Sequence, residues 1–85
     1  MQVMETKILE QHKNARTLSV RDACCEIIAE KVEHGILPQN ANTLEVSKKL
    51  LMPQMIVNYE FGKLEGLGVA VCREGLNYLI IELKN

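Results

Sequence analysis

The thiols and imidazoles are the side chains of this 85-residue sequence best suited to nucleophilic or metal chemistry. It contains three cysteines, Cys24, Cys25 and Cys72, and two histidines, His12 and His34. A ligand set built from the cysteines and His34 would lack the closely spaced ligand pairs of zinc motifs. An odd number of cysteines also differs from a disulfide framework. We therefore expect reduced, mostly buried thiols, no metal site and no cofactor.

The sequence offers little for catalysis. It has no Gly-rich phosphate loop, no Ser/His/Asp arrangement and no His-Glu-x-x-His pattern. His34 lies just before the glycine at the end of a predicted helix, where a cation interacts favourably with the helix dipole. Glu60 and Glu65 are not four residues apart, so they do not form an acid/base pair on one helix face. We expect a protein that is not an enzyme.

Recognition of duplex DNA is a better match for the polar side chains. Gln54 and Asn58 lie four residues apart near the start of a predicted helix, and amide side chains can form bidentate hydrogen bonds with adenine. Tyr59 could reach a phosphate or a thymine methyl group. Lys48 and Lys49, at the end of the preceding helix, could bind backbone phosphates. The alternative is that these residues only solvate an exposed surface.

The full set of predicted DNA contacts adds an exposed methionine and two cations. It consists of Gln54, Met55, Asn58, Tyr59, Lys48, Lys49, Lys63 and Arg73. The whole chain carries ten Lys/Arg and eleven Asp/Glu, a net charge of −1, which excludes a polybasic protein held on DNA by charge alone. A monomer would therefore bind weakly at physiological salt, and two copies on two half-sites would be needed.

Length and composition predict one globular domain. Hydrophobic residues make up 47 % and charged residues 25 %, and the core must be aliphatic because there is no Trp and Phe61 is the single Phe. No stretch approaches the ~20 apolar residues of a membrane span. Charged residues near the N-terminus argue against a signal peptide. We expect a cytoplasmic protein with no membrane partner.

Residues 1–18 are predicted to be an amphipathic extension, separate from a domain at residues 19–85. Met4, Ile8, Gln11 and Ala15 share one face at helical spacing, which predicts an extra short helix. A break is expected from Asn14 to Leu18. This stripe has no obvious place in a three-helix core, so it is a candidate dimerisation element of a homodimer. A frayed or back-packed terminus is the alternative.

The next helix is predicted to begin at Ser19, where Ser19 to Asp22 resembles a capping box, and to end at Gly35. Its apolar positions recur at three- and four-residue steps and are Val20, Ala23, Cys24, Ile27, Ile28 and Val32.

Residues 36–42 are predicted to form a loop, because Pro38 prevents the helix from continuing. Asn42 or Thr43 then caps a second, shorter helix, and Glu45 completes a capping box if Asn42 is the cap. The inward residues of this helix are Val46 and Leu50, with Leu51 as a further candidate.

A third helix is predicted from Pro53 to about Glu65, followed by Gly66 and Gly68. Its buried residues are Ile56, Val57, Phe61 and Leu64. A β-hairpin follows, with Val69–Arg73 and Leu76–Leu83 as strands and Glu74-Gly75 as the turn. We expect the face formed by Leu79, Ile81 and Leu83 to close the core.

Helix, helix, tight turn, helix and hairpin is the element order of a winged helix-turn-helix, an α+β fold. Residues 27–83 resemble the DNA-binding domain of GntR-type bacterial transcription regulators and, more loosely, MarR-type winged helices. Three segments carry the resemblance. They are Ile27 to Pro38 at the end of the first helix; Val46 to Leu50 with Met52; and Val57, Phe61, Leu64, Glu65 and Gly68 in the third helix.

The sequence departs from the GntR pattern where that family contacts DNA. The connector after the first helix is shorter and lacks the family's Pro-Gly and Leu-Pro. Val-Ser-Arg at the start of the third helix is replaced by Met52-Pro53-Gln54, and a second arginine is replaced by Asn58. The resemblance implies that these amides take the arginine positions, without the charge. We expect no counterpart of the family's large effector domain.

Two functions of different classes follow. The first is a small GntR-like transcription regulator, of the kind carried by phages and mobile elements, that binds duplex DNA as a dimer through the third helix (53–65) and the wing (69–83). The alternative is a winged-helix protein–protein interaction module that has lost DNA binding, favoured by the near-neutral surface and by exposed Met55 and Tyr59.

Overall fold

A computed structural model describes the backbone of residues 2–75 and 77–83 and the side chains of residues 15–75 and 77–83. This part of the chain contains three helices and one three-stranded antiparallel sheet. In chain order the elements are α1 (Gln2–Glu33), β1 (Ala41–Asn42), α2 (Thr43–Leu50), α3 (Gln54–Gly66), β2 (Ala70–Glu74) and β3 (Asn77–Glu82). The strand order is β1-β3-β2. The predicted α+β class is confirmed, and the arrangement is compatible with a winged-helix-like fold.

The first helix is continuous, so the predicted break at Asn14 to Leu18 and the predicted cap at Ser19 are wrong. No Pro or Gly interrupts residues 14–19, and their weaker helix formers cost only fractions of a kcal/mol each. Thr17 and Val20 are buried, so packing favours helix throughout this stretch. Of the predicted N-terminal stripe, Ala15 is exposed, whereas the side chains of Met4, Ile8 and Gln11 lie outside the described residues.

The core lies where the three helices meet one face of the sheet. Phe61 is fully buried at its centre, as predicted. Val32 is wrongly predicted to be inside, since it is 55 % exposed. The residue one turn after Ile27 on the inward side of α1 is Lys31, which is partly buried. The buried apolar residues are Val20, Ala23, Cys24, Ile27, Ala41, Val46, Val57, Phe61, Leu64, Val69 and Ile80.

Local signals set the end of α1 and the start of α2. Gly35 has φ +64°, and the Ile36 amide donates to the Lys31 carbonyl at 2.8 Å, which ends α1 as predicted. The capping box of α2 is also confirmed. The Glu45 amide donates to the Asn42 side chain at 2.8 Å, and the Asn42 amide donates to the Glu45 carboxylate at 3.2 Å.

The sheet differs from the prediction in two ways. Ala41 and Asn42, predicted as loop, pair with β3 as a short strand. The inward face of β3 is also the opposite of the one predicted, because Ile80 is fully buried whereas Ile81 is 50 % exposed and Leu79 is only partly buried. Ile80 pairs with both Ala41 and Val71, so it lies centrally in the sheet. Leu83, just beyond the strand, does pack against the core.

Candidate nucleic-acid interface

The turn between α2 and α3 is tight and fixes the start of α3. Leu51 adopts the left-handed conformation at φ +52° and is 91 % exposed, so its predicted inward position is wrong. The Met52 amide donates to the Ser47 carbonyl at 3.0 Å, and the Ser47 hydroxyl donates to the Met52 carbonyl. Pro53 precedes the first helical residue, and its carbonyl accepts from the Ile56 amide at 3.0 Å. These bonds hold the N-terminus of α3 in a defined place beside α2.

The two predicted base-reading amides are placed differently. Gln54 is exposed, and its Nε2 donates to the Thr43 hydroxyl at 3.0 Å, which ties it to the first turn of α2. Asn58 is partly buried, and its Oδ1 is buried with no hydrogen-bond partner among the described residues. The expectation that both amides turn fully outward therefore fails for Asn58. Only Gln54 presents its side chain at the surface.

Met55 and Tyr59 are the large residues that α3 presents outward, with 80 % and 58 % of their surfaces exposed. Two cations lie near the Tyr59 ring, with Lys63 Nζ 4.9 Å and Arg16 Cζ 5.9 Å from its centroid. Both distances are within the range of cation–π attraction. These contacts leave more than half of the Tyr59 surface available to a partner.

Three of the four predicted phosphate-binding cations have acidic partners. Lys49 Nζ is 3.2 Å from Glu26, Lys63 Nζ is 3.6 Å from Glu60, and Arg73 Nη2 is 3.7 Å from Glu65. Arg73 also donates to the Tyr78 hydroxyl and lies over that ring. Lys48 is exposed and forms no ion pair within the described residues. Partly exposed ion pairs contribute about 0–1 kcal/mol, so phosphate could replace the carboxylates of Lys49 and Arg73.

A polar groove joins the start of α2, the start of α3 and the hairpin. It encloses about 260 Å³. Gln54 lies on one wall, and Asn77 and Tyr78 of β3 lie on the other. The groove thus brings a residue of the predicted reading helix next to the predicted wing. Its lining residues are Asn42, Thr43, Leu44, Gln54, Glu74, Asn77, Tyr78 and Leu79.

Glu60 is a charged residue whose burial was not predicted from the sequence. Its carboxylate is fully buried and accepts hydrogen bonds from the Thr17 hydroxyl at 2.6 Å and from Arg16 Nε at 2.7 Å. Burial alone would raise the pKa of Glu60, but these hydrogen bonds and the charges of Lys63 and Arg16 outweigh it and hold the pKa below its ordinary value. The helical spacing could have indicated this burial, because Glu60 lies three residues after Val57 on the apolar stripe of α3.

The three thiols differ in their exposure. Cys24, Cys25 and Cys72 are free, and Cys24 is buried, which raises its pKa to about 12. Cys25 and Cys72 are exposed, so the prediction of mostly buried thiols is wrong. Within residues 15–75 and 77–83, no three His, Cys, Asp or Glu side chains are grouped to hold a metal ion. In the same part of the chain, no helix combines the length and apolarity that crossing a bilayer would require.

No protein family, curated protein or solved structure matches this chain. The GntR likeness therefore stays a prediction, and the geometry of α3 and the hairpin is what bears on function.

Proposed function

We propose that this chain is a winged helix-turn-helix protein, similar to GntR-type regulators, that binds duplex DNA through α3 and the β2–β3 hairpin. The observation that carries the proposal is the polar groove between Gln54 and the hairpin. A helix that enters the major groove needs its first turns exposed, with a second element beside it to contact the backbone. The start of α3 and the hairpin stand in this relation. The proposed role is transcription regulation rather than catalysis.

The proposed contacts with DNA are of two kinds, and Lys48 and Lys49 lie apart from the groove at Gln54, in a pocket beside α1. Gln54 can read a base edge, and Met55 can pack on a thymine methyl group. Lys48, Lys49 and Arg73 supply the phosphate contacts, after Lys49 and Arg73 exchange their carboxylate partners. Few cations are available in each copy, so useful affinity requires two copies on two half-sites, with a steep salt dependence.

Fluorescence anisotropy of a labelled random duplex, at low and at physiological salt, tests the proposal. We expect binding at low salt that weakens steeply as salt rises. Lys48→Gln should weaken binding to every duplex and flatten the salt slope, because Lys48 has no ion-pair partner among the described residues to lose. Lys48→Arg keeps the charge and is the matched control. Absence of binding at low salt would reject DNA as the ligand.

A protein–protein module is the second candidate, and the exposed face of α3 favours it. Met55 and Tyr59 are apolar or aromatic residues of the kind enriched at interfaces, and Lys63 and Arg73 are already paired with carboxylates. This candidate predicts no anisotropy change with any duplex at any salt. It also predicts that Met55→Glu abolishes partner binding while thermal stability is unchanged.

A further inference from the structure

The outer face of α1 carries an apolar stripe, because the continuous helix places its residues along one side. This face lies opposite the residues that α1 contributes to the core. Leu18 is 51 % exposed and Val32 is 55 % exposed, so neither is covered by the rest of the described chain. Successive residues of the stripe are three or four positions apart, and Asp22 is the one polar residue among them. The exposed members are Ala15, Leu18, Cys25, Ala29 and Val32.

The C-terminal half of this stripe forms one wall of an apolar groove. Ile28 and Val32 of α1 face Ile81 and Leu83 from the end of the sheet, and the groove holds about 370 Å³. Small side chains at Cys25 and Ala29, one turn apart, let another helix approach closely. A single exposed hydrophobic residue is common on protein surfaces, but an exposed apolar stripe that continues into a groove is typical of an interaction site.

The charges of α1 indicate what packs there. By sequence, residues 2–16 carry three cations (Lys7, Lys13 and Arg16) against two anions (Glu5 and Glu10). Residues 17–33 carry two cations (Arg21 and Lys31) against four anions (Asp22, Glu26, Glu30 and Glu33). Within one copy, Arg16 is paired with Glu60, Lys31 with Glu45 and Glu26 with Lys49, so the first half has no excess charge and the second half keeps an excess of carboxylates. A second α1 running antiparallel would place this acidic half beside Lys7 and Lys13, away from the acidic half of the other copy, and would align the two helix dipoles in opposite directions, which is favourable.

We propose that the outer face of α1 binds the same face of α1 in a second copy, as an antiparallel, two-fold symmetric helix pair. The 32 residues of α1 provide about four heptads of contact. Full overlap places the middle of the helix, at Leu18, next to the two-fold axis. The acidic half with its groove then receives the N-terminal half of the other copy. This proposal concerns assembly and does not depend on DNA binding.

Sedimentation velocity of the full chain, from low to high micromolar concentration, tests the assembly. We expect a dimer whose dissociation constant rises roughly tenfold or more with Ala29→Glu, because an unpaired charge would be buried in the contact. Leu67→Glu is the matched control, since Leu67 is 74 % exposed at the end of α3 and should leave the dimer unchanged. A monomer at every concentration, or equal weakening by both variants, overturns the proposal.

Disulfide cross-linking tests the orientation. In a Cys25→Ser, Cys72→Ser background, an antiparallel pair brings two copies of Leu18→Cys together and keeps two copies of Val32→Cys far apart. Oxidation should therefore link Leu18→Cys dimers and leave Val32→Cys unlinked. Both positions are exposed, so unchanged melting temperatures are expected and verify that each variant folds. Linking of both variants would show a parallel pair, and linking of Val32→Cys alone or of neither would reject the proposed contact.

Discussion

The Thr17 hydroxyl donates a 2.6 Å hydrogen bond to Oε1 of Glu60, joining the middle of α1 to the middle of α3 across the core. Arg16 donates to the other carboxylate oxygen at 2.7 Å. A buried carboxylate is costly unless its oxygens are satisfied, and α1 satisfies both. The position of α3 therefore depends on Arg16 and Thr17. Both lie before Ser19, the residue at which the sequence predicts that α1 begins.

Replacing the hydroxyl of Thr17 should destabilise the fold. Thr17→Val keeps the shape but leaves one oxygen of a buried charge with one donor fewer, which should lower the free energy of unfolding by about 1.5–3 kcal/mol. Thr17→Ser retains the hydroxyl and should cost clearly less. Urea unfolding of the three proteins measures the difference. Equal loss in both variants would show that packing at Thr17, and not the hydrogen bond, is what matters.

The same cluster predicts a direction of pH dependence. The pKa of Glu60 in the folded protein lies below its ordinary value of 4.5, so the ionised form is the one that stabilises the fold. That contribution is complete above pH 4.5 and is lost as the pH falls through the folded-state pKa. We expect the stability difference between the parent and Glu60→Gln to shrink on acidification, as measured by urea unfolding across that range. A difference that grows on acidification would contradict the predicted sign.

Phe61 should be the most sensitive apolar position. Its side chain is the largest in the core and is fully buried, so Phe61→Ala should cost about 3–5 kcal/mol, a large part of the stability of a domain this size. Phe61→Leu leaves a smaller void and should cost less. Thermal melts followed by circular dichroism distinguish these outcomes. A Phe61→Ala variant that melts within a few degrees of the parent would contradict the observed packing.

The elements that could be predicted from sequence are those set by local signals. Asn42 and Glu45 cap α2 through bonds between residues three apart, and Gly35 ends α1 with a positive φ. Phe61 was predicted inside because its neighbours on α3 recur at helical spacing. Each of these features depends on residues close together in the chain, which is the information a sequence pattern contains.

The wrong predictions concern features that depend on contacts between residues far apart in the chain. The last part of β3 is apolar on both faces, so alternation does not choose between Ile80 and Ile81; the pairing of Ile80 with Ala41 does. The continuity of α1 through residue 17 likewise coincides with a bond to Glu60, which is 43 residues away in the chain. The same applies to the candidate site. The burial of Asn58 depends on the elements packed around it, which the spacing of residues along α3 does not reveal.

Base preference should depend more on Gln54 than on Asn58. Gln54 is exposed at the start of α3 beside the hairpin, whereas Oδ1 of Asn58 is buried and cannot accept from a base in this arrangement. If α3 reads DNA, Gln54→Ala should reduce discrimination between preferred and mismatched duplexes by about 1–3 kcal/mol. Asn58→Ala should change it less. Competition anisotropy with a set of single-base variants of a preferred duplex measures both effects, and thermal melts verify folding, since Gln54→Ala also removes the bond to Thr43. A larger loss of discrimination in Asn58→Ala would mean that α3 meets DNA through a face other than the one that the groove at Gln54 defines.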